Sequence, residues 1–382
     1  MPTLLWILYL SSHCVLSVNA LYDCPRAVCA SCLPTEIHDA PGVGFDLTPS
    51  YGGSVVEIAR VQGNPEYLEY MARLVSSPEP EDETKTLFKH IAQWLPISDV
   101  WSRKCGRWLY KLGYSAKDGI EIISDLLREL KDLTEREILC ALDRVAVTIP
   151  DISSLEHQTI NAALEDLGLR TWLGDSLYYP SRLIEADAVY VANGYGLCKN
   201  YQNIFECTDE FYDQLSYPAV LLVSFSRHLL YTAISTPING EALARVTNDE
   251  AQVFDFEVGL DRLLQNDSQA QRDRLRQQLL VLPQESEFIV THVLLAGESA
   301  TNPQFLAVLK DALSELSPIM SPDLKMTIAN SSKALNPTFA AARGAALYAR
   351  RRQEVQADCQ EPPECEIIRR QEQTRSSGKQ DL

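Results

Sequence analysis

The sequence predicts a mixed α/β protein, and three observations carry that prediction. Unbroken apolar runs such as residues 293–296 (VLLA) have the length and character of strands buried on both faces. Segments with apolar residues at three-and-four spacing follow them, as Phe305, Leu306, Leu309, Ala312 and Leu313 do after Asn302-Pro303. The two kinds of segment alternate along the chain. With 382 residues, 46% hydrophobic and 23% charged, the composition is that of a soluble globular protein long enough for two lobes with separate cores.

In chain order, residues 42–61 read as a strand, a turn and a second strand. A helix follows, with Asn64 as N-cap and Pro65 at its first position. Residues 76–85 (SSPEPEDETK) are an acidic, proline-containing loop, and residues 84–143 are mainly helical, with a Thr134-x-x-Glu137 capping box before ILCAL. RVAVTIP is a buried strand stopped by Pro150. The next helix has a second capping box, Ser153-x-x-Glu156, and stops at Gly168. Residues 217–235 give two strands joined by a tight turn near Ser226-Arg227-His228. Two helices lie within FEVGLDRLL and RDRLRQQLL. The strand–Gly–helix corner at residues 293–313, a strand in LKMTIAN and a small-residue helix in TFAAARGAALYARRR complete the pattern. From about residue 354 the chain is a polar tail with little to bury.

The charge balance excludes nucleic acid as a partner: 52 acidic against 34 basic residues leave a net charge of −18, with no basic, aromatic-interleaved stripe to offset it. The first twenty residues read as a secretory signal. LLWILYL is its apolar core, and Val18-Asn19-Ala20 supplies the cleavage site. Ser11, Ser12 and His13 end the run before it reaches a membrane span of about 20 residues, so no transmembrane anchor is expected in the mature chain. Nine cysteines remain after Cys14 leaves with the signal. In an oxidising compartment Cys198 and Cys207 are the best local disulfide and Cys359 with Cys365 a second, and the odd total leaves at least one thiol free or intermolecular. Asn266 and Asn330 begin glycosylation sequons. The terminus Lys379-Gln380-Asp381-Leu382 resembles the address that retains proteins in the endoplasmic reticulum, so the expected location is the lumen of that compartment or the secreted medium.

The corner at Gly297-Glu298-Ser299 admits three readings. As a nucleophile elbow it lacks a base, because none of the six histidines follows Ser299, and an unactivated serine is inert. It is otherwise a nucleotide corner or simply a corner. No H-E-x-x-H, Walker A or G-x-G-x-x-G motif is present.

Five segments, taken in order, support the nucleotide reading. They are GFDLTPSY (44–51), residues 145–169, EADAVYVANGYGL (185–197), LLAGESATNP (294–303) and NPTFAAARGAALYA (336–349). Together they resemble the ATPase domain of the seventy-kilodalton heat-shock chaperones: first phosphate loop, following strand and helix, first connector, adenosine loop and second connector. The resemblance is to the divergent, fungal-type members without a peptide-binding domain. It implies a two-lobed actin-like ATPase fold of ribonuclease H-like lobes, with a reduced second-lobe subdomain. The implied division is a signal at 1–20, a cysteine-rich leader at 21–42, a first lobe at 43–215, a second lobe and returning connector helix at 216–353, and a tail at 354–382.

The resemblance also implies ATP with magnesium as cofactor. Asp46 and Glu185 would be the catalytic carboxylates, with Asp46 near the metal. Gly44, Thr48, Ser50, Tyr51, Ser224, Arg227, Gly297, Glu298 and Ser299 would line the nucleotide. The departures fall on the phosphate loops. Thr48-Pro49 replaces Gly-Thr, and proline has no N–H to offer. Ser224 replaces an aspartate, Ser226, Arg227 and His228 replace glycines, Glu298 replaces another glycine, and Thr301 replaces the base-stacking arginine. The expectation is a secretory-pathway binding or regulatory pseudo-ATPase related to protein folding, with ATP binding weak or lost. The alternatives are an active ATP-hydrolysing chaperone-like protein and a secreted interaction protein with no nucleotide role. The client or protein partner is not identified by the sequence.

Overall fold

The structure is a computed structural model that describes residues 41–55, 59–76, 117–152, 155, 157–173, 182–197, 210, 218–239, 244–245, 251–265, 269–322, 324–326 and 335–354. All but Lys117 belong to one compact unit, Ala40–Pro80 with Asp118–Val355. The signal, the leader up to residue 40, both sequons, Cys198, Cys207, the tail beyond Glu354 and the KQDL terminus lie outside the described residues.

The unit is α/β and holds two mixed sheets. The first is built from β1 (Gly44–Leu47), β2 (Tyr51–Val55), β3 (Ala59–Gln62), β4 (Arg144–Ile149), β5 (Arg170–Thr171) and β6 (Leu183–Ile184). Its order is β3-β2-β1-β4-β5: an antiparallel meander of three strands, then β4 parallel to β1 and β5 parallel to β4, with β6 also pairing β4. The second sheet uses β7 (Ala219–Phe225), β8 (Leu230–Ser235), β11 (Ala251–Asp255), β12 (Val290–Ala296) and β13 (Lys325–Met326). Its order, β11-β8-β7-β12-β13, repeats the same plan of a meander, a parallel fourth strand and a parallel fifth. A small pair, β9 (Pro237–Asn239) and β10 (Ala244–Arg245), lies between β8 and β11 in the chain. The third strand of each meander is absent from the sequence reading.

The helices are α1 (Pro65–Ser76), α2 (Lys117–Ile138), α3 (His157–Asp166), α4 (Glu185–Ala192), α5 (Leu260–Gln265), α6 (Gln269–Glu285), α7 (Pro303–Leu316) and α8 (Ala340–Glu354). Their punctuation follows residue chemistry. Asn64 Oδ1 accepts the Tyr67 N–H at 2.8 Å to open α1, and Asn302 caps α7 through Gln304 and Phe305. Gly168, at φ 70°, closes the turn after α3. The Thr134-x-x-Glu137 capping box is a correction. Thr134 sits inside α2, and its hydroxyl donates to the Leu130 carbonyl at 2.7 Å. The buried stripe Ile123, Leu127 and Leu130 carries the helix straight through the threonine, so no new helix starts there.

The second sheet buries every residue of β7 and β8 and packs against α6 and α7, where Phe225 stacks on Phe305 with ring centroids 4.2 Å apart. Helix α4 is buried along its whole length, and α8 lies against it. Small residues make this approach possible. A Cβ on Gly344 of α8 would overlap the Ala188 carbonyl of α4, and one on Gly44 of β1 would overlap the Ala342 carbonyl of α8. Ala340, Ala341 and Ala345 are buried in the same helix, as its sequence predicts for a tightly packed element.

Candidate functional site

Asp46 is the third residue of β1, and the ladder sets it opposite Thr148 of β4. The Thr148 hydroxyl is 2.8 Å from Asp46 Oδ1 and 3.2 Å from the Phe45 carbonyl. Glu185 begins α4 directly after β6, with Ile184 as an N-cap that offers no side-chain bond. Asp46 and Glu185 are 1% and 0% exposed, so both carboxyl groups are removed from water.

Their electrostatics follow from that burial. Desolvation pushes Asp46 up to about 7, opposed in part by the Thr148 hydrogen bond. Desolvation raises Glu185 well above the carboxylate range, and the Asp46 charge raises it further. The Ser224 hydroxyl, from β7 of the second sheet, works the other way on Glu185. It does not satisfy the group: among the described residues neither Glu185 oxygen has a hydrogen-bond partner of ordinary geometry. Two buried acids that feel each other titrate as a pair and hold a proton that isolated carboxylates release. Tyr67 of α1 belongs to the same cluster. Its phenol is pushed well up by burial, then by Asp46, Tyr70 and Glu185.

Beside Asp46, the β1–β2 turn closes on its own side chain. Thr48 N–H donates to the Tyr51 carbonyl at 3.0 Å. Thr48 Oγ1 accepts the N–H groups of Ser50 at 3.2 Å and Tyr51 at 3.0 Å. Pro49 has no N–H. The Tyr67 hydroxyl donates to the Thr48 carbonyl at 2.7 Å, and the Tyr51 hydroxyl to the Thr338 carbonyl at 3.1 Å. The Ser50 hydroxyl is buried without a partner among the described residues.

The β7–β8 turn repeats this arrangement. Ser226 N–H donates to the Leu229 carbonyl at 3.0 Å, and Ser226 Oγ accepts from His228 N–H at 3.3 Å and Leu229 N–H at 3.2 Å. The remaining amide, Arg227, donates to Glu298 Oε1 at 3.1 Å. The Arg227 guanidinium is turned to Asp261, which accepts from Nε at 3.1 Å and Nη2 at 3.2 Å. At the corner Gly297 adopts φ 95°, where a Cβ would strike the Phe225 backbone, and Ser299 N–H donates to the Phe225 carbonyl at 3.0 Å.

The residues singled out in the sequence thus fall into three places. Asp46, Glu185 and Ser224 come together in one buried cluster. Thr48, Ser50 and Tyr51 form the turn beside it, and Arg227, Gly297, Glu298 and Ser299 form the second turn and its corner. Gly44 serves the packing of β1 on α8. Cys198 and Cys207 lie outside the described residues. Thr148, Tyr67 and Asp261 were missed. Thr148 had a legible signal, being the one polar residue inside the apolar run VAVTI, as Ser224 is in AVLLVSF.

The amides of both turns are already hydrogen-bonded within the protein. A phosphate cradle needs outward-pointing N–H groups without partners. Of the two turns, Ser50, Tyr51, His228 and Leu229 give theirs to hydroxyls of the same turn, and Arg227 gives its own to a carboxylate. Among the described residues no group of three or more His, Cys, Asp or Glu is placed to hold a metal ion, and no helix is long and apolar enough to cross a membrane. The chain matches no protein-family model and no curated protein sequence.

Proposed function

We propose that the chain is a pseudo-ATPase of the actin-like fold, acting as a binding or regulatory protein related to protein folding in the endoplasmic reticulum lumen or after secretion. What carries the reading is the repeated turn. Two sheets of one topology each begin with a hairpin, and in each a hydroxyl two residues beyond the buried polar position, Thr48 after Asp46 and Ser226 after Ser224, ties up the turn amides. Such turns are where a two-lobed fold of this kind would hold phosphates. With the amides tied up, the charge-assisted bonds worth roughly 1.5–3 kcal/mol each are lost, and phosphoryl transfer depends on positioning and charge neutralisation.

A second reading, an active enzyme with Asp46 and Glu185 around magnesium–ATP, is favoured by one observation: among the described residues neither buried Glu185 oxygen has a hydrogen-bond partner of ordinary geometry. In that case the two carboxylates would hold the ion, and the ion would supply charge neutralisation at the phosphates. Phosphate release from ATP by the purified protein separates the readings. The pseudo-ATPase gives no turnover above a Glu185→Gln control. Turnover that Glu185→Gln and Asp46→Asn both remove establishes the enzyme.

A further inference from the structure

The β7–β8 turn presents four successive backbone N–H groups, at Ser226, Arg227, His228 and Leu229. Three are satisfied within the hairpin by the Leu229 carbonyl and the Ser226 hydroxyl. The fourth is satisfied from outside it. Arg227 N–H donates at 3.1 Å to a carboxylate oxygen of Glu298, 71 residues further along the chain. Glu298 is delivered there by the corner at the end of β12. Gly297 takes the left-handed conformation with no room for a Cβ against Phe225, and the Ser299 N–H fastens the corner to the Phe225 carbonyl. The Arg227 side chain feels the Glu298 charge but directs its guanidinium at Asp261. A positively charged residue whose amide points outward is an attractive place for an oxyanion, and here an anion of the chain itself stands on that amide.

We propose that Glu298 is a built-in anion, an autoinhibitory contact that closes the β7–β8 turn to phosphate-type oxyanions. The contact is intramolecular, so a free anion must compete with a ligand held at high effective concentration. It must also approach a second negative charge. The contact is independent of what the protein does, although its meaning as the loss of a phosphate site rests on the function proposed above.

The test uses the full chain, with inorganic tripolyphosphate as the probe and the Arg227 amide resonance as the readout. The wild-type resonance does not respond to the probe. In Glu298→Ala the Arg227 and His228 resonances titrate, with affinity at least about tenfold tighter than any wild-type response. Glu298→Gln keeps the shape and removes the charge, so it gains in the same direction. It also serves if the alanine variant does not fold. Binding no tighter than wild type in a folded variant, or a response confined to residues away from this turn, overturns the proposal. Either result leaves the wild-type chain's indifference to ATP untouched, whereas tight ATP binding by the wild type sinks the pseudo-ATPase reading with Glu298 in place.

Discussion

Thr48 and Ser226 make the same bonds in two different sheets. Each follows the first strand of its sheet, each donates its N–H to the carbonyl three residues on, and each hydroxyl accepts the N–H groups two and three residues on. The hydroxyl therefore does inside the turn what a bound anion does in a glycine-rich loop.

Removing that hydroxyl strands buried amides. Thr48→Ala and Ser226→Ala should each destabilise the protein by about 1–3 kcal/mol, while Thr48→Ser should be close to neutral, since it keeps the acceptor. Urea denaturation measures this. Equal loss in Thr48→Ser and Thr48→Ala would mean that the methyl group, not the hydroxyl, is what the turn uses.

The buried acid pair fixes the sign of a pH dependence. Asp46 and Glu185 are both raised, so the folded state holds protons that the unfolded chain releases near about pH 4. Their contribution to stability is full below that value. It falls as pH rises through about 7 for Asp46, and further where Glu185 ionises. Glu185→Gln removes the second charge, so it should flatten the fall and stabilise the protein by more than about 1.4 kcal/mol at about pH 8, the equivalent of one pKa unit. Unfolding free energies across that range check it, and a variant less stable than wild type at the alkaline end contradicts it.

Gly344 offers a test in which two effects have opposite signs. Helix propensity alone would make Gly344→Ala stabilising by about 1 kcal/mol. The added Cβ would overlap the Ala188 carbonyl of α4, and overpacking of this kind costs about 1–3 kcal/mol. A net loss is expected. A gain in thermal stability would show that α4 and α8 are less closely applied than described.

Retention is testable at the other end of the chain. If the proposed luminal location rests on the Lys379-Gln380-Asp381-Leu382 address, deleting those four residues should shift the protein toward the medium, because a retrieval receptor reads only such a terminal address. An unchanged distribution between cell and medium would contradict the retrieval claim.

Strong local signals made most of the fold legible. Asn64-Pro65, Asn302-Pro303 and Gly168 mark helix ends through capping chemistry that needs no tertiary context. The run VLLVSF reads as a buried strand because it is almost unbroken in its apolar character. β3 and β11 were not legible as separate strands. β11 is only partly buried, so its apolar signal is diluted, and β3 follows β2 within one continuous β-prone stretch. Thr134 misled because a threonine three residues before a glutamate looks alike at a helix start and in a helix interior. Within the site, Asp46, Glu185 and Ser224 are far apart in sequence and were singled out only from the resemblance, while Thr148 shows as a polar break in an apolar run. The Arg227–Glu298 contact joins residues too far apart in sequence for local chemistry to connect them.

If the two turns are closed to phosphate, calorimetry with magnesium–ATP on the purified protein shows it: no saturable heat up to about 1 mM nucleotide, a binding free energy weaker than about 4 kcal/mol. Submicromolar binding that Asp46→Ala abolishes would contradict it.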